Sequence, residues 1–286
     1  MIGLTLRLGA ALVLLALVWH FANGRAAIER LAQADWRWLA AAVLAVNLQT
    51  MLSALRWRLT AAALGQRIER GHAIGEYYLA QLMNQTLPGG VLGDASRAVR
   101  ARHSADLLRS GQAVVIERLA GQIALAAVLL PALVVTGHGL WALGGLAVVA
   151  MGVSVAGALP KLRALTKPLY QALLASAVRN RQIALGLSIV ACNLASFAFC
   201  AYAVGATLPL SAIVTLVPLI LSAMLVPLSI AGWGWREGAA AALFPLAGAT
   251  PEAGLAASAA FGAILLISAL PGLAWLARGQ EITGTR

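Results

Sequence analysis

The chain has 286 residues, 61% of them hydrophobic and only 11% charged, with a mean hydropathy of +0.84. A soluble domain carries about 25% charged residues, so an ordinary soluble enzyme is excluded and lipid is the natural solvent for most of the chain. The net charge of +11 reads as membrane topology, since basic residues collect on the cytoplasmic side; nucleic acid is not an expected partner.

Crossing about 30 Å of hydrocarbon takes roughly 20 apolar residues in a helix. Residues 1–21 carry a first apolar run with Arg7 as its basic flank and no small-x-small cleavage site after it, which predicts an uncleaved first helix. Spanning runs follow at about 36–64, 110–136, 139–158, 183–205 and 252–277, making six with the run at 3–21. Two apolar regions are interrupted instead. The first, about 73–101, breaks at Leu87-Pro88-Gly89-Gly90, and the second, about 208–247, breaks around Pro227 and again at Ala231-Gly232-Trp233-Gly234. Each half is too short to cross alone, so both predict re-entrant helical hairpins. The expected fold is an all-α polytopic membrane protein with about six spanning helices and two broken re-entrant hairpins.

Charge placement favours that layout. With a cytoplasmic N-terminus, fourteen of the 21 basic residues fall inside, among them Arg67, Arg70, Arg97, Arg100 and Arg109; Arg25, Arg30, Arg37 and Arg236 fall outside. If each broken segment crossed once, residues 97–109 and 159–182 would move outside, against the positive-inside rule. The order span, broken segment, span occurs twice, over 36–136 and 183–277, in opposite orientation. The whole chain then reads as one transmembrane domain: first helix and outer loop (1–35), first repeat, connector helix and basic inner loop (137–182), second repeat and tail (278–286). Inverted repeats with matching interrupted segments point to a transporter's substrate site near the midplane.

Three constellations carry the chemistry. In Asn84–Arg97, Pro88 removes a backbone donor and Gly89 and Gly90 permit positive φ, so the helix breaks; a new helix then opens with free N–H groups that attract phosphate or carboxylate. Arg97 adds bidentate donors suited to phosphate, and Asp94, three residues earlier, is placed to pair with it. The second break repeats the logic with Gly232, Gly234, Arg236 and Glu237. The third is Glu117-Arg118 inside the span 110–136; neighbouring helical positions diverge, so the two need different partners, and proximity in sequence suggests Arg97 for Glu117. Ionisable groups at membrane depth are functional candidates by default.

The remaining polar residues suggest blander roles. Asn47, Gln49 and Asn193 read as interhelical hydrogen-bonding groups. Arg56 and Arg58 read as snorkelling to the inner interface, and Trp19, Trp36, Trp38, Trp57, Trp141 and Trp275 as interfacial anchors. Glu76, Tyr77 and Tyr78 are placed at the entrance of the first hairpin. Residues 159–182, with Lys161, Arg163, Lys167, Arg179 and Arg181, read as a basic amphipathic segment on the anionic inner leaflet. Cys192 and Cys200 suggest neither a disulfide framework nor a thiolate site, and the four histidines show no metal-ligand spacing, so no metal or cofactor is expected.

At Leu87-Pro-Gly-Gly to Arg97, at Glu117-Arg118 and at Gly232-x-Gly-x-Arg236-Glu237-Gly238, the sequence resembles the lysylphosphatidylglycerol synthase transmembrane (YbhN-like) family, across nearly the whole chain. The resemblance implies a lipid translocase of the bacterial inner membrane, with Asp94, Arg97, Glu117, Arg118, Arg236 and Glu237 at the motif positions. The soluble aminoacyl-transferase domain of the family's two-part members has no counterpart in this sequence. The expected activity is flipping or scrambling of an anionic phospholipid or lipid-linked head group. No Gly-rich Lys-Ser/Thr phosphate-binding loop is present, so ATP is not the expected direct driver, and Asp94, Glu117 and Glu237 are proton-relay candidates. Expected partners are membrane lipids, with a second copy of the chain or a separate lipid-modifying enzyme as further candidates. The alternative is an integral-membrane enzyme acting on a lipid-linked phosphate or sugar, although no catalytic constellation is recognisable.

Overall fold

The computed structural model describes residues 17, 19–87, 91–101, 106–146, 164–225 and 232–283, and it is that of an all-α polytopic membrane protein. A short helix α1 (Gly24–Ala32) precedes the long α2 (Trp36–Ala63). Next come α3 (Arg70–Thr86), α4 (Leu92–Arg100) and the long α5 (Leu107–Val135). A short α6 (Thr166–Leu169) leads into the long α7 (Ser176–Ala203), and α8 (Leu210–Ser222), α9 (Trp235–Leu243), α10 (Pro251–Ala269) and α11 (Pro271–Thr283) complete the chain.

Four helices among the described residues are long and apolar enough to cross a bilayer: α2, α5, α7 and the run Pro251–Ala277 formed by α10 and the start of α11. The expected first span at 3–21 and the later part of the one at 139–158 lie largely outside the described residues, although 139–146 is helical. Where boundaries differ from expectation, the helices extend beyond their apolar runs. Asp106 caps α5 by accepting from the Arg109 N–H at 2.7 Å. α7 begins at Ser176 rather than near 183, because Gln182 is buried and donates to Thr60 Oγ1 at 3.0 Å and to the Ala172 carbonyl at 2.9 Å. Hydropathy marks the lipid-facing part of a helix, not its hydrogen-bonded ends.

α2 and α7 pack along each other, and the Asp35 N–H donates to the Ala203 carbonyl at 2.9 Å, so the start of α2 meets the end of α7. Ala42, Val46, Val190, Leu194, Phe197 and Ala201 are buried in the shared core. Small side chains let helix backbones approach closely where lipid gives no hydrophobic drive for association.

Both interrupted segments are folded back on themselves. In the first, α3 and α4 pack together, and Gln66 Nε2 donates to the Ala101 carbonyl at 2.8 Å, closing the base of the hairpin at the Ala63 end of α2. In the second, α8 and α9 pack together, and Arg30 ties the two feet by donating to the Val204 carbonyl at 3.3 Å while lying 4.0 Å from Glu252. Those feet sit at the opposite end of the bundle, beside Ala203. The hairpins therefore enter from opposite ends. Their arms interlock with both halves of the chain: α3 packs on α11 and α8 on α5, while α4 and α9 pack on α5 and α10.

The turn residues Pro88, Gly89 and Gly90, and Pro227 and Ala231 in the second break, lie outside the described residues. Gly232 and Gly234 hold φ of +79° and +88°, values that L side chains rarely adopt. Close approach, not backbone freedom, fixes Gly93: a Cβ there would sit 1.9 Å from the Ala80 carbonyl oxygen across the hairpin. Gly93→Ala is expected to push α4 off α3 and cost about 1–3 kcal/mol, measurable as a lowered thermal midpoint in detergent; an unchanged midpoint would show the hairpin to be loosely packed.

Candidate functional site

The first hairpin packs against α2 and α5 around a network of five charges, four of them buried. Arg97, on the returning arm α4, is 0% exposed. Its Nη2 donates to Asp94 Oδ1 at 3.0 Å and to Glu117 Oε2 at 3.3 Å. The guanidinium lies between two rings, 4.5 Å from the centre of Trp57 and 4.4 Å from that of Tyr77, a favourable setting for a desolvated cation. Glu117 Oε1 accepts from Arg56 Nη2 at 2.7 Å and from the Tyr77 hydroxyl at 3.3 Å. Arg118, one position on and turned to a different face, donates to Asp94 Oδ2. Asn84 completes the shell, accepting from the Gly93 N–H at 2.8 Å and donating to Asp94 Oδ2 at 3.1 Å.

Three guanidiniums thus face two carboxylates and leave one net positive charge. Among the described residues, Arg56 Nη1 and Arg97 Nε and Nη1 are buried without a hydrogen-bond partner. Unmet donors of this kind are costly, and such a network is weak evidence for stability alone.

The second hairpin carries a smaller, closed pair. Arg236 is 0% exposed and Glu237 1%. Arg236 Nη2 donates to Glu237 Oε1 at 2.6 Å, its Nε donates to Ser258 Oγ at 2.9 Å, and Trp233 and Phe261 flank it at 5.4 Å each. Glu237 Oε2 accepts from the Gly234 N–H at 2.7 Å, so the carboxylate also fastens the turn. The two networks lie at different depths. At 1.5 Å per residue, Arg56 stands about 10 Å from the Ala63 end of α2, and Ser258 about 10 Å from the Pro251 end of α10, at the opposite face of the bundle.

Between them is a cavity of about 400 Å³. Gln49, Gln122, Ile189, Asn193 and Leu265 contribute to it, and these fall near the middle of the four long helices. Asp94, Glu117, Arg118 and Arg56 line its charged wall, whereas the second break reaches it through Met224 and Gly232. Arg97, Arg236, Glu237 and Gly234 do not line it. Arg97 lies behind Asp94 and Glu117 and orients both.

Asp94, Arg97, Glu117 and Arg118 are therefore brought together, while Arg236 and Glu237 form a separate cluster; Gly89 and Gly90 lie outside the described residues. Two sequence expectations are corrected. Arg56 does not snorkel: it is 4% exposed and held by Glu117, with Gly121 opposite leaving it room. Trp57 is no interfacial anchor, being 0% exposed against Arg97. Glu76, placed at the hairpin entrance, is a buried latch that accepts from Arg100 Nε at 2.5 Å and from Trp275 Nε1 at 3.0 Å. Asn47 does link helices, accepting from the Tyr78 hydroxyl at 2.7 Å. Residues missed in the sequence include Ser258 and the carboxamides Gln81 and Gln122, while Asn84 and Gln85 opened the first constellation without a role of their own. The spacing Gln81, Asn84, Gln85 puts three amides on one helix face, a signal that was available.

Comparison with curated proteins finds no match. A family model, lysylphosphatidylglycerol synthase TM region, matches residues 4–272, which span both hairpins, both charged networks and all the cavity's lining residues. The chain belongs to the family of lysylphosphatidylglycerol synthase transmembrane regions.

Proposed function

We propose that the chain moves a phosphate-bearing lipid head group between leaflets, as a flippase or scramblase not driven directly by ATP. The observation that carries this reading is the cavity at mid-helix height with two guanidiniums and two carboxylates on its wall and the buried Arg97 behind them, set between hairpins that enter from opposite ends. Polar groups at that depth are costly unless they line a hydrated or ligand-filled space. A phosphate would meet Arg118, the one guanidinium of the network with half of its side chain exposed, and would compete with Asp94 for it.

The arrangement fits two inverted repeats, over 36–136 and 183–277, around one site. Each repeat contributes a spanning helix, a hairpin and a second spanning helix. With Arg100 and Arg109 at the Ala63 end, we assign that end, and both termini, to the cytoplasmic side of a bacterial inner membrane. In the present conformation the first network opens onto the cavity and the second is shut.

Purified protein in liposomes without ATP is expected to accelerate the exchange of a fluorescent anionic phospholipid between leaflets, read by quenching from outside. Exchange at the rate of empty liposomes would overturn the proposal. An enzyme acting on a lipid-linked phosphate would instead form product from labelled lipid in detergent, where there is no second leaflet.

A further inference from the structure

The two walls of the mid-helix cavity differ in kind. The first repeat gives it Arg56, Tyr77, Asp94, Glu117 and Arg118, together with several carboxamides. Among the described residues, Asn193 is the one polar side chain that the second repeat gives it, and Leu221, Met224, Phe261 and Leu265 make the rest of that wall apolar. A phosphate leaving Arg118 for the opposite end of the bundle therefore meets hydrocarbon.

Yet a cation stands one ring behind that wall. Phe261 lines the cavity, and the centre of its ring lies 5.4 Å from Arg236 Cζ. The first repeat has the same layering, since Tyr77 lines the cavity and its ring covers the Arg97 guanidinium at 4.4 Å. Each repeat thus holds a fully buried arginine behind an aromatic side chain that faces the shared space. Arg236 is only partly occupied: Nη2 donates to Glu237 and Nε to Ser258, while Nη1 is buried with no hydrogen-bond partner among the described residues. An unmet donor on a buried cation is costly, and holding Glu237 does not require it. Nη1 can take a phosphate oxygen without releasing Glu237. A ring face attracts the guanidinium beside it but bars an anion from it. Inverted repeats give alternating access by moving one against the other around a common site, so the side that is covered in one state is uncovered in the other.

We infer that Arg236 is a second phosphate site and that the Phe261 side chain is the partition between it and the cavity. A head group passes from Arg118 to Arg236 when the ring turns aside, with Nη1 accepting the phosphate as its partner while Nη2 keeps Glu237. The inference rests on the head-group reading above and adds the second site and the residue that covers it.

The test leaves Arg236 in place and reads its accessibility. The detergent-purified chain is treated with phenylglyoxal, a small neutral reagent for guanidinium groups, and the modified arginines are located over time by peptide mass spectrometry. In the unaltered chain Arg118 is expected to react readily and Arg236 about 10- to 1,000-fold more slowly, as an uncovered state populated at about 0.1–10% requires. Phe261→Ala is expected to speed the reaction of Arg236 by roughly tenfold or more, with Arg97, equally buried behind Tyr77, no more reactive than before. Dihexanoyl phosphatidic acid is expected to remove most of the modification at both Arg118 and Arg236, and inorganic phosphate at the same concentration to remove little.

Arg236 reacting no faster in the variant would overturn the partition. Protection of Arg118 without Arg236 would overturn the second site and leave the head-group reading standing, whereas protection of neither would overturn both. Inorganic phosphate protecting Arg236 as well as the lipid does would overturn a site for lipid. If Arg97 also becomes reactive in the variant, its fold has opened and the unaltered chain decides. Slow modification of Arg236 that the lipid slows further then supports the inference, and none over the full course overturns it.

Discussion

Glu117→Ala should be the most damaging single substitution in the chain. Glu117 is 1% exposed and is the carboxylate shared by Arg56 and Arg97. Among the described residues, removing it strands Arg56 with no acidic partner and leaves Arg97 with Asp94 alone. Breaking a buried ion pair from one side costs about 3–5 kcal/mol, because the remaining charge stays desolvated. The variant is expected to lose most of its folded yield, or to unfold at a much lower temperature in detergent. Replacing Arg56 as well, in Glu117→Leu/Arg56→Leu, should recover much of that loss, since exchanging a buried pair for apolar side chains is often close to neutral. A Glu117→Ala protein that melts like the parent would mean that the network is hydrated in solution.

Arg118→Ala should do the reverse, leaving the fold intact and stopping the work. Its side chain is 50% exposed, and its partner Asp94, 11% exposed, keeps Arg97 and Asn84, so the loss of stability is expected to stay at about 0–1 kcal/mol. At the cavity wall the same guanidinium is the proposed phosphate donor. Losing charge-assisted hydrogen bonds of about 1.5–3 kcal/mol corresponds to roughly 10- to 100-fold slower lipid exchange. Arg118→Lys should fall between, keeping the charge without the planar fork. Arg97→Ala and Arg236→Ala are poorer tests of transport. Both side chains are fully buried and hold carboxylates in place, so their loss is expected to appear first in folding.

The fold was largely legible because its signals are local. Pro88 with its glycines, and Gly232 with Gly234, interrupt apolar runs, and an interrupted run too short to span has to turn back. The pairing of Asp94 with Arg97 follows from helical spacing, and that of Arg97 with Glu117 from a hairpin arm leading directly into the next helix. Arg56 and Trp57 were misread because a basic residue and a tryptophan near the end of a span have an ordinary interfacial role. Only tertiary packing shows that α3 and α5 cover that end of α2 and bury both. Ser258 gave no signal: one hydroxyl in an apolar helix matters only through the Arg236 that packs on it from another element. The separation of the two charged networks in depth was likewise hidden, since hydropathy reports that a segment is buried without saying how far each hairpin arm penetrates.

A lipid head group is proposed to occupy the cavity at mid-helix height. The most direct test of that occupancy is photocrosslinking, with a benzophenone amino acid at Gln122, which lines the cavity, or at the neighbouring Ile123, which is 56% exposed and not among its lining residues. With a phospholipid radiolabelled in its head group and reconstituted with each variant, crosslinked label is predicted to be strong at position 122 and to be competed by unlabelled anionic lipid. Position 123 should capture acyl chains but little head group. Equal head-group labelling at the two positions would contradict the account.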